Sequence, residues 1–169
     1  MQAAGWRVEQ WRDYVANLRG RAPRGLRDIA VFDAAGEPSV IRVASVVAGK
    51  PFPTLYWLVD PVLSLRIDRV EAGGLIAQFQ TQVDQSSLLK AAMLADHEAH
   101  KAHRATFVSA DEQRQLTDSG MMAALEQRGI GGIADPDRIR CLHTWYAAHL
   151  VTPNTIGQLL DTHWQAEQL

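Results

Sequence analysis

Three of the six histidines lie within seven residues, in His97-Glu98-Ala99-His100-Lys101-Ala102-His103-Arg104. At about 100° per residue of helix, His97, His100, Lys101 and Arg104 share one broad face, with His103 about 60° beyond His100. Two neutral imidazoles at this spacing could bind zinc or another borderline metal if carboxylate or thiolate partners came from elsewhere. The zincin pattern His-Glu-x-x-His is not met, because the spacing here is one residue short. The same face, with Lys101 and Arg104, could instead hold a phosphate-type anion, or simply be a solvated helix surface. His97 also stands as a candidate acid or base.

The second constellation runs Gly131-Gly132-Ile133-Ala134-Asp135-Pro136-Asp137-Arg138-Ile139-Arg140-Cys141-Leu142-His143. Asp135 as an N-cap and Pro136 as the first helical residue predict a helix from Asp135 to about Val151. Its free amides could hold an anion, with Arg138 and Arg140 supplying charge. Asp135 and Asp137 compete for those amides, so this is not a phosphate loop of the Walker type. On such a helix Cys141 and His143 diverge by about 200° and cannot serve one centre. Cys141 would share a stripe with Arg138, Trp145 and His149, where a thiolate of lowered pKa could act as a nucleophile; the alternative is a buried, inert thiol. His143 would lie beside an apolar stripe of Ile139, Leu142, Tyr146 and Leu150.

Composition bounds what these residues can do. The chain has 169 residues, 47% hydrophobic and 21% charged, which suits one globular domain spanning 1–169. Its net charge of −2 creates no global field for nucleic acid or an anionic membrane. A single cysteine excludes an internal disulfide framework and a closed zinc site of several cysteines. No apolar run reaches the roughly 18 residues of a membrane helix, and the charged start MQAAGWRVEQW lacks a signal-peptide core, so a cytoplasmic protein is expected. The pattern names no cofactor.

The positioning elements follow from periodicity. Trp6, Val8, Trp11, Tyr14, Val15 and Leu18 recur at helical spacing, giving an amphipathic N-terminal helix within residues 1–18 that packs or docks. Arg19, Arg21, Arg24 and Arg27, interrupted by Gly20, Pro23 and Gly25, read as a basic loop. Residues 28–47 read as a hairpin turning at Asp33–Pro38, and Leu55–Val59 as a third strand. Asp60-Pro61 opens a helix that stops near Gly73-Gly74. Helices are expected from Ser86 to about Phe107, around Ser109–Gln115, over Met121–Arg128 and Asp135–Val151, and from Asn154 to Trp164. The class is therefore α+β: a single helix-dominated domain with a small, antiparallel sheet of about three strands over residues 28–59, packed by helices.

The ordered motifs Arg19-Gly20-Arg21-Ala22-Pro23-Arg24-Gly25, Gly36-Glu37-Pro38, Pro51-Phe52-Pro53-Thr54-Leu55-Tyr56-Trp57-Leu58, His97-Glu98, and Gly131-Gly132 followed by Asp137-Arg138-Ile139-Arg140-Cys141-Leu142-His143 resemble the bacterial family catalogued as domain of unknown function 501. The resemblance spans about residues 18–160 and singles out His97, Asp137, Arg138, Arg140, Cys141 and His143. Genes of that family lie beside a septum-formation initiator and an exopolyphosphatase, which implies a phosphate-rich ligand or a division-related partner. Many relatives resemble a Cys-Pro-Cys-Gly turn where this chain has Phe32–Gly36, so a metal site built on that pair is absent here.

The leading expectation is a protein that binds an anionic, phosphorylated ligand through Arg138, Arg140, His97, His100, Arg104 and Asp137, with His143 at its edge. One alternative is a metal- or Cys141-dependent hydrolase of phosphate-containing substrates, with Cys141, His143 and His97 as catalytic candidates and His97 and His100 as metal ligands. Another is a non-enzymatic adaptor that uses the Trp6/Trp11 helix and the arginine loop of residues 19–27 to hold a cell-division protein; Trp6, Trp11 or Trp164, if exposed, could anchor such a partner.

Overall fold

A computed structural model describes residues 6–168. Helix α1 (Val8–Arg19) lies on one face of an antiparallel sheet of three strands, β1 (Leu26–Phe32), β2 (Pro38–Val43) and β5 (Tyr56–Leu58), in the order β1-β2-β5. Alternation along the central strand sorts its side chains to opposite faces. Ile41 joins Trp11, Val15, Leu26 and Ile29 beneath α1, whereas Val40 joins Leu58, Trp145 and Leu160 in the larger core on the other side.

The N-terminal helix is thus used internally: Trp11 is 8% exposed and its ring centroid lies 4.7 Å from that of Trp6. Trp164 is also buried. These indoles, considered above as partner anchors, pack against the chain itself; residues 1–5 lie outside the described part. The basic loop is shorter than expected, because Arg27 falls on β1 and pairs with Glu112 at 3.4 Å.

The hairpin's second arm ends at Val43. Val46–Val47 (β3) instead pairs with Lys50–Pro51 (β4) across Ala48-Gly49, whose φ values of 53° and 72° suit a tight two-residue turn. Asp60 caps α2 (Pro61–Ala72) through the amides of Val62 and Leu63, as the Asp-Pro signal predicts. Helix α3 (Leu75–Asp84), which the sequence pattern did not reveal, precedes α4 (Ser87–Ala105), α5 (Ala110–Asp118) and α6 (Met122–Glu126). Helix α7 (Leu142–Val151) is buried on most sides, with Leu142, Trp145 and Ala147 in the core, and α8 (Thr155–Ala166) covers it. Among the described residues no helix is long and apolar enough to cross a membrane.

The expected helix from Asp135 does not form before Leu142. Asp135 does accept the Asp137 amide at 3.0 Å, but the turn does not propagate. The side-chain amide of Gln80 donates to the Asp137 carbonyl at 2.9 Å and accepts the Ile139 N–H at 3.0 Å. Both backbone groups that a helix would need are thereby committed to α3. Residues 133–141 run as a pinned loop, and Cys141, at φ −158° and ψ 122°, is the N-cap of α7.

Candidate functional site

The displaced helix start changes what Cys141 and His143 can do. With Cys141 extended and His143 in the first turn of α7, the expected divergence disappears: Sγ lies 3.7 Å from His143 Nδ1. Helix α2 supplies the carboxylates, since Asp68 and Glu71, three residues apart, point from one face. Glu71 Oε1 accepts the Leu142 N–H at 2.6 Å and lies 3.5 Å from His143 Nδ1. On the far side of the ring, Nε2 lies 3.3 Å from Asp68 Oδ1 and 3.3 Å from the Ser64 carbonyl. Both ring nitrogens therefore face acceptors, which favours the doubly protonated imidazolium.

The electrostatics agree with that geometry. The hydrogen bond to Cys141 raises the His143 pKa to about 9, helped by the charges of Cys141, Glu71 and Asp68 against the opposing effect of burial. Burial pushes the Cys141 thiol up, but the hydrogen bonds from His143 and from the Thr144 backbone N–H outweigh it and hold the thiol below its ordinary value. The result is a thiolate–imidazolium pair at a helix start, backed by two carboxylates. It faces a cleft of about 400 Å³ lined by Thr54, Tyr56, Trp57, Leu58 and Thr144.

The same atoms also define the metal-ligating group found among the described residues: Glu71, Cys141 and His143 each offer an atom within 4.8 Å of the others. That set could hold a borderline divalent ion with three protein ligands and one open position. His97 and His100 are not part of it.

The expected helix-face site is placed differently. His97, 2% exposed, accepts the Ile130 N–H at Nδ1 (3.0 Å), leaving its proton on Nε2, which is directed to the Pro136 carbonyl without a hydrogen bond of ordinary geometry. Burial lowers its pKa, and burial together with the neighbouring charge of Arg104 lowers that of His100 to about 3. Arg104, 2% exposed, donates to the Pro53 carbonyl at 2.9 Å and the Leu125 carbonyl at 2.6 Å, tying down the segment that leads into β5. His103 bonds the Tyr56 hydroxyl at 2.7 Å. His97, His100 and Arg104 are therefore buried, not solvated; Arg104 and His97 Nδ1 are engaged with the backbone, whereas His97 Nε2 and His100 Nε2 are buried without a hydrogen-bond partner.

Gly129 is part of the same construction, because a Cβ there would sit 2.1 Å from His97 Nδ1. Gly131, at φ 69°, similarly admits Thr144, whose Oγ1 would lie 2.6 Å from an added Cβ.

Arg138 and Arg140 are exposed and line a separate cleft with Arg128. Thus the structure unites Cys141 with His143, leaves His97, His100 and Arg104 buried in α4, and turns the two arginines elsewhere. Glu71, Asp68, Gln80 and Arg128 were not singled out by sequence. Asp68 and Glu71 carry a local signal, a carboxylate pair at i and i+3 near a helix end, but nothing local ties them to Cys141.

A small antiparallel sheet packed by helices, with a thiol, an imidazole and a carboxylate converging where α7 begins, defines an α+β protein with a candidate nucleophile site. The chain belongs to the family described as Protein of unknown function (DUF501), which matches residues 29–162 and so includes Asp68, Glu71, Cys141 and His143. No curated protein and no solved structure matches the chain.

Proposed function

We propose that the chain is a thiol-dependent acyl hydrolase with Cys141 as nucleophile. The observation that supports it most is the 3.7 Å Cys141–His143 contact, with the other ring nitrogen directed to Asp68, on the wall of an open cleft. The thiolate attacks the carbonyl carbon of an ester or thioester, forming an S–C bond. The bond to the leaving group breaks as His143 gives that group a proton. Water then attacks the thioester with His143 as base, releasing the acid and restoring the thiolate–imidazolium pair. Glu71 and Asp68 act as positioning residues that fix the ring and favour its charged form.

The cleft's chemistry supports the acyl version over hydrolysis of a phosphate ester. Its lining is aromatic, aliphatic and hydroxylic, with no guanidinium or ammonium among the residues that form it, and the Glu71 carboxylate stands next to the thiol with that of Asp68 across the imidazole. A phosphoryl group would meet like charge there. A reactive single thiol also suits a reducing compartment, which supports a cytoplasmic location.

The test is intact-mass spectrometry during turnover of p-nitrophenyl acetate. The wild type should gain the mass of one acetyl group, Cys141→Ser should not, and His143→Ala should turn over far more slowly. A wild-type protein that carries a stoichiometric metal and no acetyl adduct would overturn the thiol mechanism.

A further inference from the structure

Beyond the thiol cleft, we propose that the chain binds a phosphate ester of nucleotide size in the cleft formed by Arg128, Arg138 and Arg140. The cleft measures about 720 Å³, within the range of small-molecule sites, and lies between α3 and the loop 133–141. Three arginines line it against one acidic residue, Asp135, whose carboxylate already accepts the Asp137 amide. Among the described residues neither Arg138 nor Arg140 pairs with a carboxylate. Arg128 is held in place by its 3.0 Å bond to the Gly132 carbonyl. In a chain whose net charge is −2, this is a local concentration of positive charge without carboxylate partners, from Arg128 after α6 and two arginines of the pinned loop.

Arginine supplies planar pairs of donors that match phosphate oxygens, and three of them suit more than one phosphate charge. The rest of the lining includes Ile76, Ala77 and Ile133, which offers an apolar surface to the organic part of the ligand. Inorganic phosphate alone would leave that surface uncovered. Loop rigidity comes from Gln80, whose amide bonds at Asp137 and Ile139 flank Arg138 on either side.

The site is distinct from the thiol site. Arg138, Ile139 and Arg140 line the α3 cleft, whereas Cys141 and His143 line the β5 cleft, and the two clefts share no lining residue. Ligand binding here therefore stands or falls independently of acyl chemistry.

The experiment is titration of the full chain with ADP in the absence of divalent metal, followed by calorimetry and by amide shifts in NMR spectra. Wild type should bind saturably, with shifts centred on Gln80 and residues 133–140. Adenosine should bind at least tenfold more weakly, and pyrophosphate should compete. Arg138→Ala with Arg140→Ala should weaken ADP at least tenfold while circular dichroism stays unchanged. Since both side chains are exposed, that variant is expected to fold; should it not, raising NaCl from low to physiological concentration must weaken wild-type binding severalfold. Absence of saturable ADP binding, equal affinity for adenosine, insensitivity to salt, or unchanged affinity in the folded double variant would each overturn the proposal.

Discussion

Cys141 Sγ and His143 Nδ1 lie 3.7 Å apart although the two residues are separated by a single position, because the chain changes from extended to helical between them. On a continuous helix the pair would point about 200° apart. The contact therefore depends on whatever stops the helix from starting earlier, and that is the Gln80 side chain.

Gln80→Ala should release the loop. Two hydrogen bonds to backbone groups are lost, with an expected cost of about 1–2 kcal/mol in urea unfolding. Hydrogen exchange at the Ile139 amide should rise much more than exchange in the core of α7. Equal protection of Ile139 in variant and wild type would show that Gln80 does not pin the loop.

The extent of sequence legibility follows the range of the interactions. Asp60-Pro61 and Ser86 were readable as helix starts because a capping side chain bonds amides two or three residues ahead. The β1–β2 hairpin was readable from its alternation and its turn. Asp135-Pro136 carries the same local signal as Asp60-Pro61 and fails, since the competing partner, Gln80, lies 57 and 59 residues away in sequence from the groups it captures. Glu71, which bonds the Leu142 amide 71 residues on, is invisible for the same reason. The pattern places His97, His100 and Arg104 on one helix face, as the structure does, but composition cannot tell a wet face from one buried against distant loops, where Arg104 meets the Pro53 and Leu125 carbonyls and His97 the Ile130 amide.

Gly129→Ala tests that buried face. A Cβ placed 2.1 Å from His97 Nδ1 must displace the ring and break its bond to Ile130. The expected cost is about 2–3 kcal/mol, read as a lower urea midpoint.

Acid stability should report His100. Its folded-state pKa of about 3 lies below the ordinary 6.5, so its contribution is present in full above pH 6.5 and lost as pH falls toward 3. Within that window one group of this kind gives a slope of about 1.4 kcal/mol per pH unit. His100→Phe should flatten the acid limb of a stability curve, whatever it does to stability at neutral pH. An unchanged slope would mean that the imidazole takes up its proton without opposing the fold.

His143 has the opposite sign. Its pKa, raised to about 9, makes a contribution that is complete below pH 6.5 and lost as pH rises through 9. NMR titration should show a ring still protonated at neutrality, and Glu71→Gln, which keeps an acceptor for the Leu142 amide but removes a charge, should lower that midpoint. A midpoint near 6.5 in the wild type would contradict the arrangement.

The most direct test of the thiolate–imidazolium pair is the pH dependence of Cys141 alkylation by iodoacetamide, which is unambiguous in a protein with one cysteine. The wild type should react with a midpoint below the ordinary thiol value of about 8.5, and His143→Ala should move that midpoint upward. The same ordinary midpoint in both proteins would contradict the account.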